Sequence, residues 1–411
     1  MRVVVTGMGI VSPLGIGLEP FWRNALAGAN GVRRIASFDA SAQRPRIAGE
    51  VPDFDPGRYL PSKQLDQMDR FSQLALTAAA EAVASAGGLS GYQPQRLGVC
   101  IGTGMGGYGS FEASAARHFR GLVPAPLTVP RAMANAAGAW IASTYHCTGP
   151  NLTFSTACSS SGHAIGSALQ LLRAGQVDAV IAGGAEACVL PMTMAGFHAL
   201  RALSTAHDDH PAGASRPFAK GRDGFVMAEG AGLLVLEMAE RATERGATIY
   251  AVLAGYGASC DASHIVAPDS AGQAAAMAAA AADAAIAPRA IDYINAHATS
   301  TPLGDIVETR AIKTFLGAHA GEVAVSATKS LLGHTIGAAA AIGSIAAIMS
   351  LRHSVMHPTV NLEEPDPECD LDYVAGTARK RHIRVALCNA FGFGGNNACL
   401  LYTRPEALED I

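Results

Sequence analysis

The chain has 411 residues, 49% hydrophobic and 16% charged, which is enough apolar side chain to bury a large core and excludes a disordered class. The formal net charge of −4 gives no reason to expect nucleic acid or an anionic membrane as a partner. Eight cysteines, at 100, 147, 158, 188, 260, 369, 388 and 399, show no C-x-x-C pair and no regular spacing. That argues against a zinc site and a disulfide framework, and fits a reducing cytoplasm.

From the N-terminus, Arg2 to Val11 is apolar but interrupted by Thr6, Gly7 and Gly9 and lacks a small-residue cleavage site, so it reads as a strand rather than a signal peptide. Strand-like runs recur at Val3–Val5, Leu97–Ile101, Ala179–Ala182, Leu233–Glu237, Tyr250–Ala254, Tyr293–Ala296, Val323–Ser326 and Val385–Leu387, alternating with helical patterns. This ordering predicts an α/β fold with buried, largely parallel strands. G-T-G-M-G-G at 102–107 matches a dinucleotide fingerprint only in its glycines; the acidic strand end expected about twenty residues later is missing. G-M-G-I-V-S-P-L-G near the start reads as a turn, not a phosphate cradle.

Pro150–Thr156 is strand-like and Ser159–Leu172 repeats apolar residues at helical spacing, which puts Cys158 in a strand-to-helix turn. A helix N-terminus presents unpaired N–H groups and partial positive charge, favouring a thiolate and able to cradle an oxyanion. Cys158 is therefore the candidate nucleophile, against the ordinary behaviour of a free cysteine as a small buried apolar residue. Cys100, Cys147, Cys188, Cys260 and Cys369 are expected to behave in that ordinary way.

Further on, Ala274–Ala285 reads as an alanine-rich helix. In N-A-H-A-T-S-T-P-L-G-D at 295–305, His297 follows a strand and opens a polar turn, where catalytic side chains collect. Asp305 and Glu308 are spaced as a capping box. Thr335–Leu351 is apolar but slightly short for a membrane span and rich in Ala and Gly, so it reads as a buried helix. Arg379–Arg384 reads as a solvated basic turn. N-A-F-G-F-G-G-N-N at 389–397 sets Phe391 and Phe393 between glycines, suited either to gate an apolar tunnel or to make a tight strand connection.

The chain also echoes itself. Residues 154–166 laid on 325–337 match Ser155, Cys158, Ser159, Gly162, His163, Ile165 and Gly166 to Ser326, Lys329, Ser330, Gly333, His334, Ile336 and Gly337, and V-T-G-M-G-I-V at 5–11 echoes L-A-G-Y-G-A-S at 253–259. Two halves of one ancestral unit are expected, 1–250 and 251–411, with a site between them that faces Cys158 toward Lys329 and His334. Lys329 belongs at a helix start, where an ammonium opposes the helix dipole and needs a carboxylate; Glu308 is the candidate. Two neutral imidazoles, His297 and His334, can together hydrogen-bond a developing enolate.

Taken with R-D-G-F-V-M-A-E-G-A-G at 222–232, the motifs T-A-C-S-S-S-G-H-A-I-G, N-A-H-A-T-S-T-P-L-G-D, T-K-S-L-L-G-H-T-I-G-A-A and F-G-F-G-G-N-N resemble, end to end, the β-ketoacyl-acyl-carrier-protein synthases of the thiolase superfamily, most nearly the elongating synthase II type. The resemblance implies a duplicated five-layer α-β-α-β-α sandwich, a homodimer or a heterodimer with a chain-length-factor-like subunit, and no metal or resident cofactor, the substrates riding on the phosphopantetheine of acyl carrier protein. It implies Cys158 as the acylated nucleophile, His297 and His334 as the decarboxylating pair, and Lys329 with Glu308 as the ordering charges. Phe393 would gate the site, and the N–H groups of Cys158 and Phe393 would form the oxyanion hole, with Phe391 in the same loop. Thr299, Thr301, Met105 and Phe197 would contact substrate, and Lys63 and Arg201 would dock the carrier. Ala298 and Asn396 stand where the family usually has Gly and Thr, and Asp66 and Gln67 where basic residues are common, which leaves substrate and carrier choice open. A coenzyme A thiolase using Cys388 as a second cysteine, and a type II polyketide or polyene ketosynthase, are the rival readings.

Overall fold

The computed structural model describes residues 2–408. Every strand-like run forms a strand: β1 (Val3–Ser12), β2 (Leu97–Gly102), β3 (Asn151–Phe154), β4 (Ala179–Glu186), β5 (Gly230–Met238), β6 (Ala251–Cys260), β7 (Tyr293–Asn295), β8 (Ala324–Ser326) and β9 (Val385–Gly392). A further strand, β10 (Asn396–Thr403), follows the glycine-rich loop; its apolar run A-C-L-L-Y-T lies outside the runs named above. The order across the sheet is β8-β7-β9-β10-β6-β1-β5-β4-β2-β3, with Gly15–Ile16 hairpinned onto β1. It reads alike from either edge, with β6 and β1 at the centre.

Strand direction corrects the sequence reading. Parallel pairing is confined to β2 with β3 and β4, and β7 with β8 and β9. The inner pairs are all antiparallel. Alternating apolar runs carry no direction, and β10 returns from β9 through a three-residue turn rather than a crossover helix.

Helices cover both faces. α1 (Arg70–Ser85) packs on β1 and β5; α2 (Tyr108–Phe119) packs on the short helix Thr128–Ala132; α3 (Ser160–Arg173) follows Cys158; and α4 (Pro191–Ala199) follows β4. In the second half α5 (Ser270–Asp283) packs on β6 and β10 and against α6 (Gly304–Leu316), ahead of the short α7 (Lys329–Leu332) and the long α8 (Ala339–His353). α8 is buried from Ala339 to Leu351 and touches strands of both halves, as α3 does, so these two helices form the middle of five layers. Of the window Ile336–His353, 89% is buried inside the fold, so the apolar stretch is a core helix.

The N-terminal echo has a packing cause. A Cβ on Gly7 or Gly9 would overlap the carbonyl oxygens of Ala82 and Ala78 in α1, and one on Gly255 or Gly257 those of Ala280 and Ala276 in α5. Each central strand carries a helix backbone pressed onto it. The run expected to be a turn is thus mostly strand.

Candidate active site

Cys158 follows β3 in one 3-10 turn, Ala157–Ser159, that runs into α3. Ala157 has φ 52, a left-handed conformation an L-residue adopts at a cost, which marks a strained elbow beside the sulfur. The flanking hydroxyls brace it: Ser160 Oγ accepts from Thr156 N at 2.9 Å and donates to Ala157 O at 2.6 Å, while Ser159 Oγ donates to Thr156 O at 2.8 Å. From the other half, Gly392 lies so close that a Cβ there would stand 2.6 Å from Thr156 O and 3.2 Å from Cys158 N. Only glycine lets the end of β9 reach the turn, and this approach brings the Phe393 N–H to the sulfur, where it joins the N–H of Cys158 itself.

His334 Nε2 lies 2.9 Å from Cys158 Sγ. The rings of His297 and His334 stand 5.5 Å apart at 84°, and one ligand atom from each of the three residues lies within 4.8 Å of the others. Phe225 packs edge-on to His334 at 5.3 Å and Phe391 edge-on to His297 at 5.8 Å, holding both rings in orientation. The loop carrying His297 is held by Glu308, which accepts from the N–H groups of His297 at 2.8 Å and Ala298 at 2.6 Å and from Asn389 Nδ2 at 3.1 Å. Asp305 accepts from Ser300 N at 3.1 Å and Phe218 N at 2.9 Å.

Two expectations are corrected here. Asp305 and Glu308 do not cap α6; Thr301 Oγ1 accepts from Gly304 N at its start, and both carboxylates turn back to the 297–300 loop ahead of the helix, reaching also Phe218 N and Asn389 Nδ2. Lys329 does start α7, but its Nζ donates to the carbonyl of His297, and Glu308 acts on it through space. In both cases the partner found is a backbone group of the 297–300 loop.

Burial dominates the electrostatics. It holds His297 and His334 well below an ordinary imidazole, with the nearby Lys329 charge adding to the effect, so both rings are neutral. Burial also pushes the Cys158 thiol up to about 12, against the lowering pull of Lys329 and the Phe393 N–H. The helix start therefore does not produce a resting thiolate, contrary to the sequence reading. The thiol must pass its proton on, and His334 is in contact to receive it. Lys329 is lowered by burial and partly restored by Glu308.

A cavity of about 370 Å³ opens onto this group. Thr299 and Thr301 line it with their hydroxyls 3.2 Å apart, as do Phe393, Phe391 and Phe197, whose ring meets Phe225 at 5.5 Å. Arg201 lines its rim, and Lys63 sits on a short exposed helix, Ser62–Leu65. Met105 does not line the cavity; it packs behind Ile336 in the apolar cluster containing Cys188, Met194 and Met227. Cys388 is buried with Sγ toward Ala340 O, away from the cavity, and Cys260 is exposed rather than buried.

Sequence reasoning missed two supports. Glu186 accepts from the N–H groups of Gly104 at 2.6 Å, Met105 at 3.1 Å and Gly337 at 3.0 Å, so the 102–107 glycine turn embraces an internal carboxylate. Arg222 is buried, donates to the carbonyls of Thr301 at 2.9 Å and Pro302 at 2.7 Å, and pairs with Asp366 at 2.7 Å and Asp305 at 3.7 Å. It stands inside the quoted R-D-G-F motif, the one signal that could have flagged it. Arg222→Ala strands the buried Asp305, so a loss of about 3–5 kcal/mol in unfolding free energy is expected by denaturant titration.

Fold and constellation together define the class: a thiolase-fold acyltransferase built around a cysteine and two histidines. The family description "Beta-ketoacyl synthase, N-terminal domain" matches residues 1–242 and "Beta-ketoacyl synthase, C-terminal domain" residues 250–363. The chain is 45% identical over 410 residues to a 3-oxoacyl-[acyl-carrier-protein] synthase 2 of Synechocystis sp., covering 98% of each chain, and 43% identical to one of Coxiella burnetii, again with 98% of each covered. Among solved structures, the ishigamide ketosynthase/chain length factor superposes with TM-score 0.92 at 36% identity, covering 98% of this chain and 99% of the other. A β-ketoacyl synthase from Burkholderia phymatum STM815 gives 0.91 at 35% identity over the same shares. The chain belongs to the β-ketoacyl synthase family, acyltransferases that form carbon–carbon bonds.

Proposed function

We propose that the chain elongates acyl groups by decarboxylative condensation of malonyl-carrier with an acyl group held on Cys158. The observation that carries this is the contact of Cys158 Sγ with His334 Nε2 at 2.9 Å, with two N–H donors on the same sulfur. In the first half-reaction the thiol passes its proton to His334 while sulfur attacks the acyl thioester carbonyl; the oxyanion rests on the N–H groups of Cys158 and Phe393, and the departing carrier thiolate takes the proton back. Malonyl-carrier then loses CO2. The resulting enolate oxygen accepts from His297 and His334, and its carbon attacks the acyl-cysteine, giving a 3-oxoacyl product two carbons longer and releasing the cysteine. Neutral imidazoles suit this: they donate without the cost of burying another cation beside Lys329.

Assaying condensation with malonyl-carrier against acetyl-CoA tests the reading. Turnover confined to malonyl-carrier supports it, whereas condensation of two acetyl-CoA molecules supports the thiolase alternative, which the placement of Cys388 disfavours. The low histidine pKa values set a second expectation. A group held below its ordinary value stays neutral until the pH falls well past that value, so malonyl decarboxylation should not decline as pH drops through 6.5. A titration centred near 6.5 would contradict the neutral-pair assignment.

Acyl carrier protein is the proposed partner, docking at Lys63, on its short exposed helix, and at Arg201, which lines the cavity. The proposed dimer face is the β3 edge with Phe111, Phe119, Val123 and Val129, all strongly exposed on the single chain. Whether a second copy or a chain-length-factor-like subunit covers it separates fatty-acid from polyketide service; the 43–45% identity to 3-oxoacyl-[acyl-carrier-protein] synthase 2 chains supports the first, and the likeness to ketosynthase/chain length factor structures, among them a type II polyketide ketosynthase bound to its acyl carrier protein and a hexaketide at 33% identity, keeps the second as the alternative. The mirror-like strand order supports division at about residue 250 into two related halves, and eight free cysteines support a cytoplasmic site of action.

A further inference from the structure

Among the described residues that line the cavity, three carry a buried polar atom with no hydrogen-bond partner: His297, His334 and Gln273. The first two are explained by the chemistry proposed above. Gln273 is not. It lies in the first turns of α5, only 2% exposed, and its Oε1 meets no donor. An amide buried in this way costs free energy unless something outside the protein completes it.

Its surroundings indicate what that something is. The neighbouring wall is polar but self-satisfied: Asn397 Nδ2 donates to Asp261 Oδ1 at 2.6 Å and Ser259 Oγ at 3.1 Å, Asp261 Oδ2 accepts from Asp269 N at 3.1 Å, and Asp261 N donates to Gly395 O at 3.0 Å. The Asp261 carboxylate repels a second anion, so the missing partner is not an anion. The bare Oε1 can only accept, so it calls for a donor, and a hydroxyl supplies one. Elsewhere the cavity wall is apolar, made by Phe197, Leu200, Phe225 and Ile336, and suits hydrocarbon.

We propose that Gln273 is a specificity-determining residue whose Oε1 accepts a hydrogen bond from a hydroxyl on the acyl group, so that the chain accepts hydroxylated acyl thioesters in addition to saturated ones. This rests on the cavity being the acyl and carrier site of the proposed function. The test compares the rate of Cys158 acylation, by intact mass, for a saturated acyl-carrier and its 3-hydroxy counterpart of equal length, in the wild type, Gln273→Leu and Gln273→Met. The expected result is that the hydroxylated-to-saturated ratio falls about tenfold in both variants. Because Oε1 is unpartnered in the free protein, neither variant should lower the melting temperature. An unchanged ratio, a wild type that refuses the hydroxylated chain, or a melting temperature lowered by several degrees, the mark of a structural role, would each overturn the inference. If the saturated chain itself failed to acylate Cys158, the proposed function would fall first and take this inference with it.

Discussion

Cys158→Ala is expected to leave no acyl-enzyme. Incubated with acyl-carrier, the variant should show no mass increase where the wild type gains one acyl group, and condensation should fall about 10⁴-fold or more, as when other covalent nucleophiles are removed. The physical basis is that no other thiol shares the position: Cys158 alone touches His334 and faces the two backbone N–H groups, whereas Cys188 and Cys388 are packed away from the cavity. Malonyl decarboxylation should survive, because the histidine pair and Lys329 remain. An acyl adduct retained by the variant would reject the assignment outright.

The two histidines should separate under mutation. His297 makes no contact with the sulfur and opens on the cavity, so His297→Ala should lower malonyl decarboxylation about 10³-fold while acylation of Cys158 proceeds. His334 is hydrogen-bonded to the thiol, so His334→Ala should impair both steps. Radiolabelled CO2 release and intact-mass acylation, followed in parallel, read the two quantities independently. Equal loss of both on changing His297 would mean that its ring serves the nucleophile and not the enolate. Since Glu308 grips the backbone of residues 297 and 298 rather than the ring, replacing the side chain should leave the loop in place.

Much of the site was readable in one dimension because its determinants are local. A β-branched run breaking into a helical pattern put Cys158 on a turn, and the echo placed Lys329 on the matching turn. What was misread involved partners beyond the reach of a helix-turn pattern. The D-x-x-E spacing at 305–308 suggests a helix cap, yet both carboxylates accept from the 297–300 loop ahead of the helix and from the remote Phe218 and Asn389. A helix start suggests a thiolate, yet enclosure by both halves desolvates the sulfur enough to keep its proton.

By itself, then, the sequence determined the alternation of strands and helices, the elbow under Cys158, the duplication, and through its motifs the family, because periodicity and turn chemistry act over a few residues. Only the tertiary structure decided strand direction, the roles of Arg222 and Glu186, the neutrality of the imidazoles and the unpartnered amide of Gln273, because each depends on which atoms from remote segments remove a group from water.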